Sequence, residues 1–320
     1  MKRQRVFLLC GILLLTFGGV VAALLDTGSN YAKASPLLQG TQAATALAAD
    51  SDLMARGKYL VTAIDCAQCH GDPKVILDPQ ALTKPESVNV PFIGGREFDA
   101  GPLGTFYAPN LTGDPDTGLG DWTTDQIVNA LRNGVDNQGQ TIAPLMPYNY
   151  FHGMSDDDAK AIAVYLKTLP PVKNQAPDDK RGPIFGFIKP LTNESIPAPK
   201  RDGSAAYGDY LTHHVAFCVD CHSPSNQFRQ IPPGHEFAGG NQPVSIGVGF
   251  DLYAPPITGT VLNAQGFTKP AFLQTLRTGT VPWGGKLAPI MPWPHYATMS
   301  DDDLGAIWEY LQTLKQPTTP

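Results

Sequence analysis

The longest apolar stretch opens the chain. Twenty residues from Val6 to Leu25 carry no charge, directly behind Lys2, Arg3 and Arg5. A membrane-spanning helix needs about 20 such residues, whereas the apolar core of a secretory signal has roughly 7 to 15. Residues 1–25 are therefore expected to form an N-terminal membrane anchor or signal segment, with the basic flank inside and the rest of the chain exported. Ala32-Lys33-Ala34 resembles a small-residue cleavage site, and use of it would release a soluble form. Residues 26–50 are rich in Ala, Thr, Ser and Gln and read as a flexible spacer.

Beyond residue 50 the apolar positions follow helical spacing. In "MSDDDAKAIAVYLKTLP", Ser155 reads as an N-cap, acidic residues fill the first turn and Pro170 stops the helix. Ala161, Val164 and Tyr165, with Ala163 and Leu166, should face a core. An earlier helix begins in "WTTDQIVNALRNG", where Thr123 and Gln126 have capping-box spacing and Gly134 ends the run. Another approaches the first cysteine over about 52–66.

The same pattern returns. "FYAPNLTG" at 106–113 matches "LYAPPITG" at 252–259, and "LRNG" at 131–134 matches "LRTG" at 276–279. "LMPYNYFHGMSDDDAKAIAVYLKTL" at 145–169 matches "IMPWPHYATMSDDDLGAIWEYLQTL" at 290–314. Gly94-Gly95 matches Gly239-Gly240, and Pro270 sits in the first turn of the second "LRTG" helix. Ordered self-similarity predicts two tandem domains, 51–170 and 201–320, each with about three core helices. The Pro-rich stretch 171–200 reads as a linker, with the apolar island "PIFGFI" at 183–188 packing on a domain.

Charge narrows the partners. The chain has 23 basic and 29 acidic residues, a net −6. Residues 35–320 hold 19 of the basic and 28 of the acidic ones, which argues against nucleic-acid binding and suits a basic partner surface.

Four of the five cysteines lie in two matching stretches, "DCAQCHGDP" and "FCVDCHSPS". The fifth, Cys10, falls in the apolar run and reads as a lipid-facing residue. Two thiols three positions apart on one turn can each join a vinyl group of haem, and the histidine behind them then faces the iron. Neither stretch has the second cysteine pair of a zinc site or the strand–helix setting of a thioredoxin-like pair. Two covalently attached haems c are expected, on Cys66, Cys69 and His70 and on Cys218, Cys221 and His222. A methionine thioether suits the sixth position in an electron carrier. Met146 and Met291, each in a Met-Pro loop, are preferred. Met154 and Met299 precede the Ser caps, where a hydrophobic staple explains them, and histidine remains an alternative. His152, His213, His214, His235 and His295 lack like counterparts and read as surface or loop residues. Tyr107, Tyr253, Arg132 and Arg277 could bond haem propionates, or could be core tyrosines and solvated arginines. Trp122 and Phe267 read as packing residues.

On these motifs each unit resembles a class I cytochrome c domain. "GPLGTFYAPNLTGDPDTGLGDWTTDQIVNALRNGV" followed by "LMPYNYFHGMSDDDAKAIAVYLKTLP" resembles the cytochrome c subunits of membrane-bound bacterial alcohol, gluconate and aldehyde dehydrogenases. The resemblance implies a mainly α fold, a place on the periplasmic side of the bacterial cytoplasmic membrane, and a non-catalytic role in electron transfer. A dehydrogenase subunit would be the donor; a cytochrome, an oxidase or a quinone-linked complex would be the acceptor. Many members of that group carry three haem motifs where this chain has two. The rival reading is a dihaem enzyme of peroxidase or thiosulfate-oxidising type, which needs one iron able to open a coordination position.

Overall fold

A computed structural model describes residues 51–78, 84, 88–226, 230–243 and 251–317. The apolar run 6–25, the spacer 26–50 and Cys10 lie outside the described residues. Among the described residues, no helix is long and apolar enough to cross a membrane.

The chain is mainly helical. Helix α1 covers 51–63. Then come α2 (Cys66–His70), α3 (Pro73–Ile76), α4 (Thr124–Asn133), α5 (Tyr148–Phe151) and α6 (Asp156–Leu166). The second half holds α7 (Ala205–Tyr210), α8 (Cys218–His222), α9 (Gly259–Ala264), α10 (Lys269–Thr278), α11 (Trp293–Tyr296) and α12 (Asp301–Thr313); all but α9, which starts where the stretch matching 106–113 ends, repeat helices of the first half. Local chemistry sets the ends. Thr123 and Gln126 close a reciprocal capping box on α4, and Gly134 ends it at φ 72°. Ser155 Oγ accepts from Asp158 N at 3.2 Å and Ser300 Oγ from Asp303 N at 3.1 Å, so both terminal helices start on a serine cap with three aspartates in the first turn. Met154 and Met299, just before those caps, are fully buried, as a hydrophobic staple requires.

In each half the first and last helices cross at a glycine. A Cβ on Gly57 would stand 2.0 Å from Ala161 O, and one on Gly208 would stand 1.9 Å from Ala306 O. Only a hydrogen at these positions lets the backbones meet so closely. The crossing aims the end of α1, and of α7, at the cysteine motif that follows.

The second approach contains one extra residue. "GKYL" and "GDYL" are 151 positions apart, but the CxxCH motifs are 152 apart. The insertion is absorbed at Leu211–Val215, a wide turn in which Ala216 N donates to Leu211 O at 2.7 Å. The approach to the second cysteine motif is thus α7 followed by this π turn.

A small sheet was not expected from the helical pattern. β1 (Glu97–Asp99) pairs antiparallel with β2 (Gly104–Tyr107), with Phe98 opposite Phe106, and β2 pairs with β3 (Lys180–Arg181). Segment 171–200 therefore lies along the first half. Phe185 is buried against Phe106 at 5.5 Å between centroids, and Leu191 N donates to Asn133 O at 3.0 Å.

The halves exchange contacts. Tyr210 OH donates to Asp158 Oδ2 at 2.8 Å and accepts from Ser155 N at 3.2 Å. Reciprocally, Tyr59 OH donates to Asp303 Oδ2 and accepts from Ser300 N at 3.1 Å. Each half's first helix thus completes the N-terminus of the other half's last helix. Asp158, almost wholly buried, also pairs with Arg56 at 2.8 Å and Arg201 at 2.9 Å.

Candidate functional site

Asp65 turns the chain between α1 and α2. Its backbone is left-handed at φ 61°, and its carboxylate accepts from Gln68 N at 3.1 Å. Helix α2 then presents Cys66, Cys69 and His70 within little more than one turn. His70 is buried, and its Nδ1 donates to Pro109 O at 2.9 Å. A carbonyl only accepts, so the ring proton sits on Nδ1 and Nε2 keeps its lone pair. Burial lowers the pKa and keeps the ring neutral, against the opposing effect of that bond. The backbone behind the ring is fastened too: Gly94 N donates to His70 O at 2.8 Å and Gly95 N to Ala108 O at 2.8 Å. Gly94 sits at φ 71°, and a Cβ there would lie 2.5 Å from Pro109 C.

The second motif is built the same way. Phe217 takes the turning position at φ 30°. His222 is buried, its Nδ1 donates to Pro255 O at 2.7 Å, and burial lowers its pKa as well. Gly239 N donates to His222 O at 2.8 Å and Gly240 N to Ala254 O at 2.9 Å.

Cys66, Cys69, Cys218 and Cys221 are unbridged. Burial pushes three of these thiols up, Cys69 to about 11 and Cys218 to about 12, with Cys66 higher. That is opposite to the depressed pKa of a thiol-exchange CxxC. Among the described residues, no three His, Cys, Asp or Glu gather as a metal site. Unbridged thiols at i and i+3 with a neutral, unprotonated imidazole Nε2 are a donor set that fits a covalently held haem and lacks the ligands for a bare tetrahedral metal.

Met146 and Met291 lie in matching loops. Met146 N donates to Ala143 O at 3.1 Å and Tyr148 N to Met146 O at 2.8 Å; Met291 N donates to Ala288 O at 2.9 Å and Trp293 N to Met291 O at 2.7 Å. Both side chains are half-buried, and with Cys66 and Cys218 they rest on the main apolar cluster. Met154 and Met299 are instead sealed inside it. No haem-ligand role is needed to explain them.

Several residues take other places than expected. Arg132 is buried, donating to Asp156 Oδ1 at 2.5 Å, Glu194 O at 2.6 Å and His152 O at 3.3 Å. Arg277 likewise holds Asp301 Oδ1 at 2.5 Å and Ala297 O. Both arginines clamp the first residue of a terminal helix, Arg132 buried and Arg277 partly exposed. Tyr107 bonds Glu97 at 2.8 Å, and Tyr253 is exposed rather than core. Trp122 packs against the core, while Phe267 is buried edge-on to Trp283 at 5.6 Å. Two histidines taken for surface groups join the halves: His214 Nδ1 donates to Tyr150 O at 2.7 Å, and His295, buried, bonds Thr62 O at 3.0 Å beside Asp65. The prolines and glycines that orient His70 and His222 were visible only as repeated "AP" and "GG" pairs, without a stated role.

A CxxC pair leading into a buried, carbonyl-tethered imidazole, aimed by two helices crossing at a glycine, defines a c-type cytochrome domain. Residues 54–170 match the cytochrome c family and form such a domain. The chain is 30% identical over 293 residues to the cytochrome c subunit of alcohol dehydrogenase (quinone) from Gluconobacter oxydans, covering 87% of this chain and 58% of that protein. It is 30% identical over 310 residues to the gluconate 2-dehydrogenase cytochrome c subunit of Pantoea cypripedii, covering 87% of this chain and 64% of that one. A diheme cytochrome c-type protein of Cereibacter sphaeroides is 27% identical over 273 residues, covering 80% of this chain and 84% of that one. The chain thus spans about three fifths of the length of the alcohol and gluconate dehydrogenase subunits it matches. By name, those relatives are cytochrome c subunits of dehydrogenases.

Proposed function

We propose that this chain is an exported dihaem cytochrome c that relays electrons, without substrate catalysis of its own, for a membrane-bound dehydrogenase or respiratory complex. The observation that carries the reading is the duplicated tether: His70 to Pro109 O and His222 to Pro255 O, each with a glycine N–H on the histidine carbonyl. Equal tethers, equal cysteine spacing and equal Met-Pro loops support two tandem class I domains, 51–170 and 201–320, joined by 171–200. In this reading Cys66, Cys69, Cys218 and Cys221 hold the haems. His70 with Met146, and His222 with Met291, are the axial pairs. Haem so held supplies a one-electron ferric/ferrous couple, and a thioether ligand favours the reduced state. The protein's part is to fix the imidazole proton on Nδ1, keep water from the ring and hold the loops in place. With both axial positions filled, neither half keeps a site for substrate, which disfavours the peroxidase reading. The relatives' names support a dehydrogenase as donor. The acceptor would be a cytochrome, an oxidase or a quinone-linked complex. The apolar run 6–25 behind a basic flank supports an N-terminal anchor on the periplasmic side.

The test is intact mass and haem content of the protein purified in mild detergent from its native membranes, with identification of what accompanies it. Two covalent haems, and loss of one on Cys66→Ala/Cys69→Ala or Cys218→Ala/Cys221→Ala, are expected. A single haem in the parent protein would overturn the dihaem reading. Recovery with a dehydrogenase flavoprotein or quinoprotein is expected; recovery with only an oxidase would overturn the dehydrogenase assignment.

A further inference from the structure

At two crossings the seam between the halves touches the residue just before a cysteine motif, and these crossings are chemically unlike. At one, Phe151 of the first half meets Phe217, the residue before Cys218, edge-on at 5.6 Å. At the other, His295 from the Met291 loop reaches Asp65, the residue before Cys66. His295 Nδ1 donates to Thr62 O at 3.0 Å, and Nε2 stands 3.1 Å from Asp65 Oδ1. Both side chains are nearly sealed from water, at 5% and 7% exposure. The proton on Nδ1 is committed to a carbonyl, so one further proton joins Nε2 to the carboxyl. Burial raises the Asp65 carboxyl well above its usual range and lowers His295 to about 4. The contact is a directional hydrogen bond between two buried groups.

We propose that the His295–Asp65 contact couples the two haem centres: it ties the loop carrying Met291 to the residue that opens the Cys66–His70 helix. The inference rests on the dihaem, methionine-ligated reading above. Asp65 sets the start of α2 through Gln68 N, and so sets where His70 lies. His295 is four residues from Met291 on a loop of one short helix. A displacement at either centre therefore reaches the other through one hydrogen bond. Coupling is reciprocal, so each centre's affinity for an electron depends on the state of the other. His295 is a positioning residue; it touches no iron ligand.

The experiment is a spectroelectrochemical titration of the full-length protein in detergent, resolving both haems. His295→Asn keeps a donor for Thr62 O but is too short for Asp65. His295→Gln places its amide where Nε2 was and keeps the Asp65 contact. Asp65→Ser keeps the cap on Gln68 N and loses His295, which gives an independent variant where His295→Asn does not assemble. Tyr59→Phe cuts the seam at the Ser300 cap and serves as control. One lost buried hydrogen bond corresponds to roughly a two- to tenfold change in the ratio of the two reduction constants. Movement of both potentials in His295→Asn or Asp65→Ser, with His295→Gln and Tyr59→Phe near the parent, is the expected result. Unchanged potentials, or movement of only the haem in the altered segment, would overturn the coupling and leave a local support. Haem content is read first: fewer than two haems in the parent protein refutes the dihaem reading, which is a different failure.

Discussion

Gly57→Ala sets two effects against each other. In an isolated helix the change is favourable by about 0.8–1 kcal/mol. In the folded protein the new methyl would lie 2.0 Å from Ala161 O, 2.6 Å from Ala161 C and 2.7 Å from Tyr165 Cβ. Two of those atoms are backbone, so no rotamer relieves the clash. Ordinary contact begins at 3.4 Å, so α1 and α6 would have to part by about 1.4 Å, and such a gap forfeits about half or more of each dispersion contact along the crossing. Overpacking of this kind costs about 1–3 kcal/mol, occasionally more. With the backbone itself as the obstacle, the upper end applies, leaving a net loss of about 2 kcal/mol after the propensity gain. For a unit of this size that is a fall of about 4–8 °C in Tm. Gly208→Ala, 1.9 Å from Ala306 O, should lose as much. The assay is thermal unfolding of the haem-loaded protein by far-ultraviolet circular dichroism. A Tm equal to or above that of the parent, for either variant, would refute the claim that the crossings need glycine.

Asp158→Asn should be costly and should change the acid response. Burial alone would raise the Asp158 carboxyl, but the bonds and charge of Arg56, with Tyr210 and Arg201, hold it below its usual value. A carboxyl depressed in the folded state contributes stability that is present above its unfolded value, about 3.9, and is lost as pH falls through the folded value. Removing it strands a buried guanidinium, at about 3–5 kcal/mol; melts between about pH 3 and about pH 7 should show lower Tm and a shallower acid limb than the parent. Met146→Ala and Met291→Ala should each open one coordination position, read as imidazole binding to one haem per variant, while Met154→Leu leaves the spectrum unchanged. Thr123→Ala removes the capping box on α4 and should lower Tm by about 2–4 °C, for roughly 1 kcal/mol, with haem content intact.

What could be read from the sequence was local. The serine caps, the capping box at Thr123, Gly134 at the end of α4 and the CxxCH spacing each depend on residues within a few positions of one another. The repeat itself was visible because its matches keep their order. The sheet was not visible: β2 is four residues long and its second partner, β3, is more than seventy residues on. The part played by Pro109 and Pro255 was hidden for another reason. Their service is a backbone carbonyl, which any residue carries, so residue type gave no signal. Arg132 and Arg277 were visible as a repeated pair, but a guanidinium bound to a first-turn aspartate cannot be told from one bound to a propionate without coordinates.

The seam shows a limit particular to duplicated chains. Tyr59 matches Tyr210, and Ser155 matches Ser300, so the repeat displays both partners of the contact twice. Nothing in that pattern says whether a tyrosine caps its own half's serine or the other half's. The structure has the exchanged form, equivalent to the self-complementary interface of a twofold dimer. In a dimer of identical chains, both crossings would have to carry the same residues. A covalent tandem is free of that restriction, because a substitution in one half is not copied into the other. The differences fall nearest the motifs: Asp65 stands where Phe217 stands in the second copy, and His295 where Tyr150 stands in the first. The tyrosine–serine caps, farther out, are the same in both halves. The seam thus keeps its symmetry at the tyrosine–serine caps and departs from it beside the two cysteine motifs.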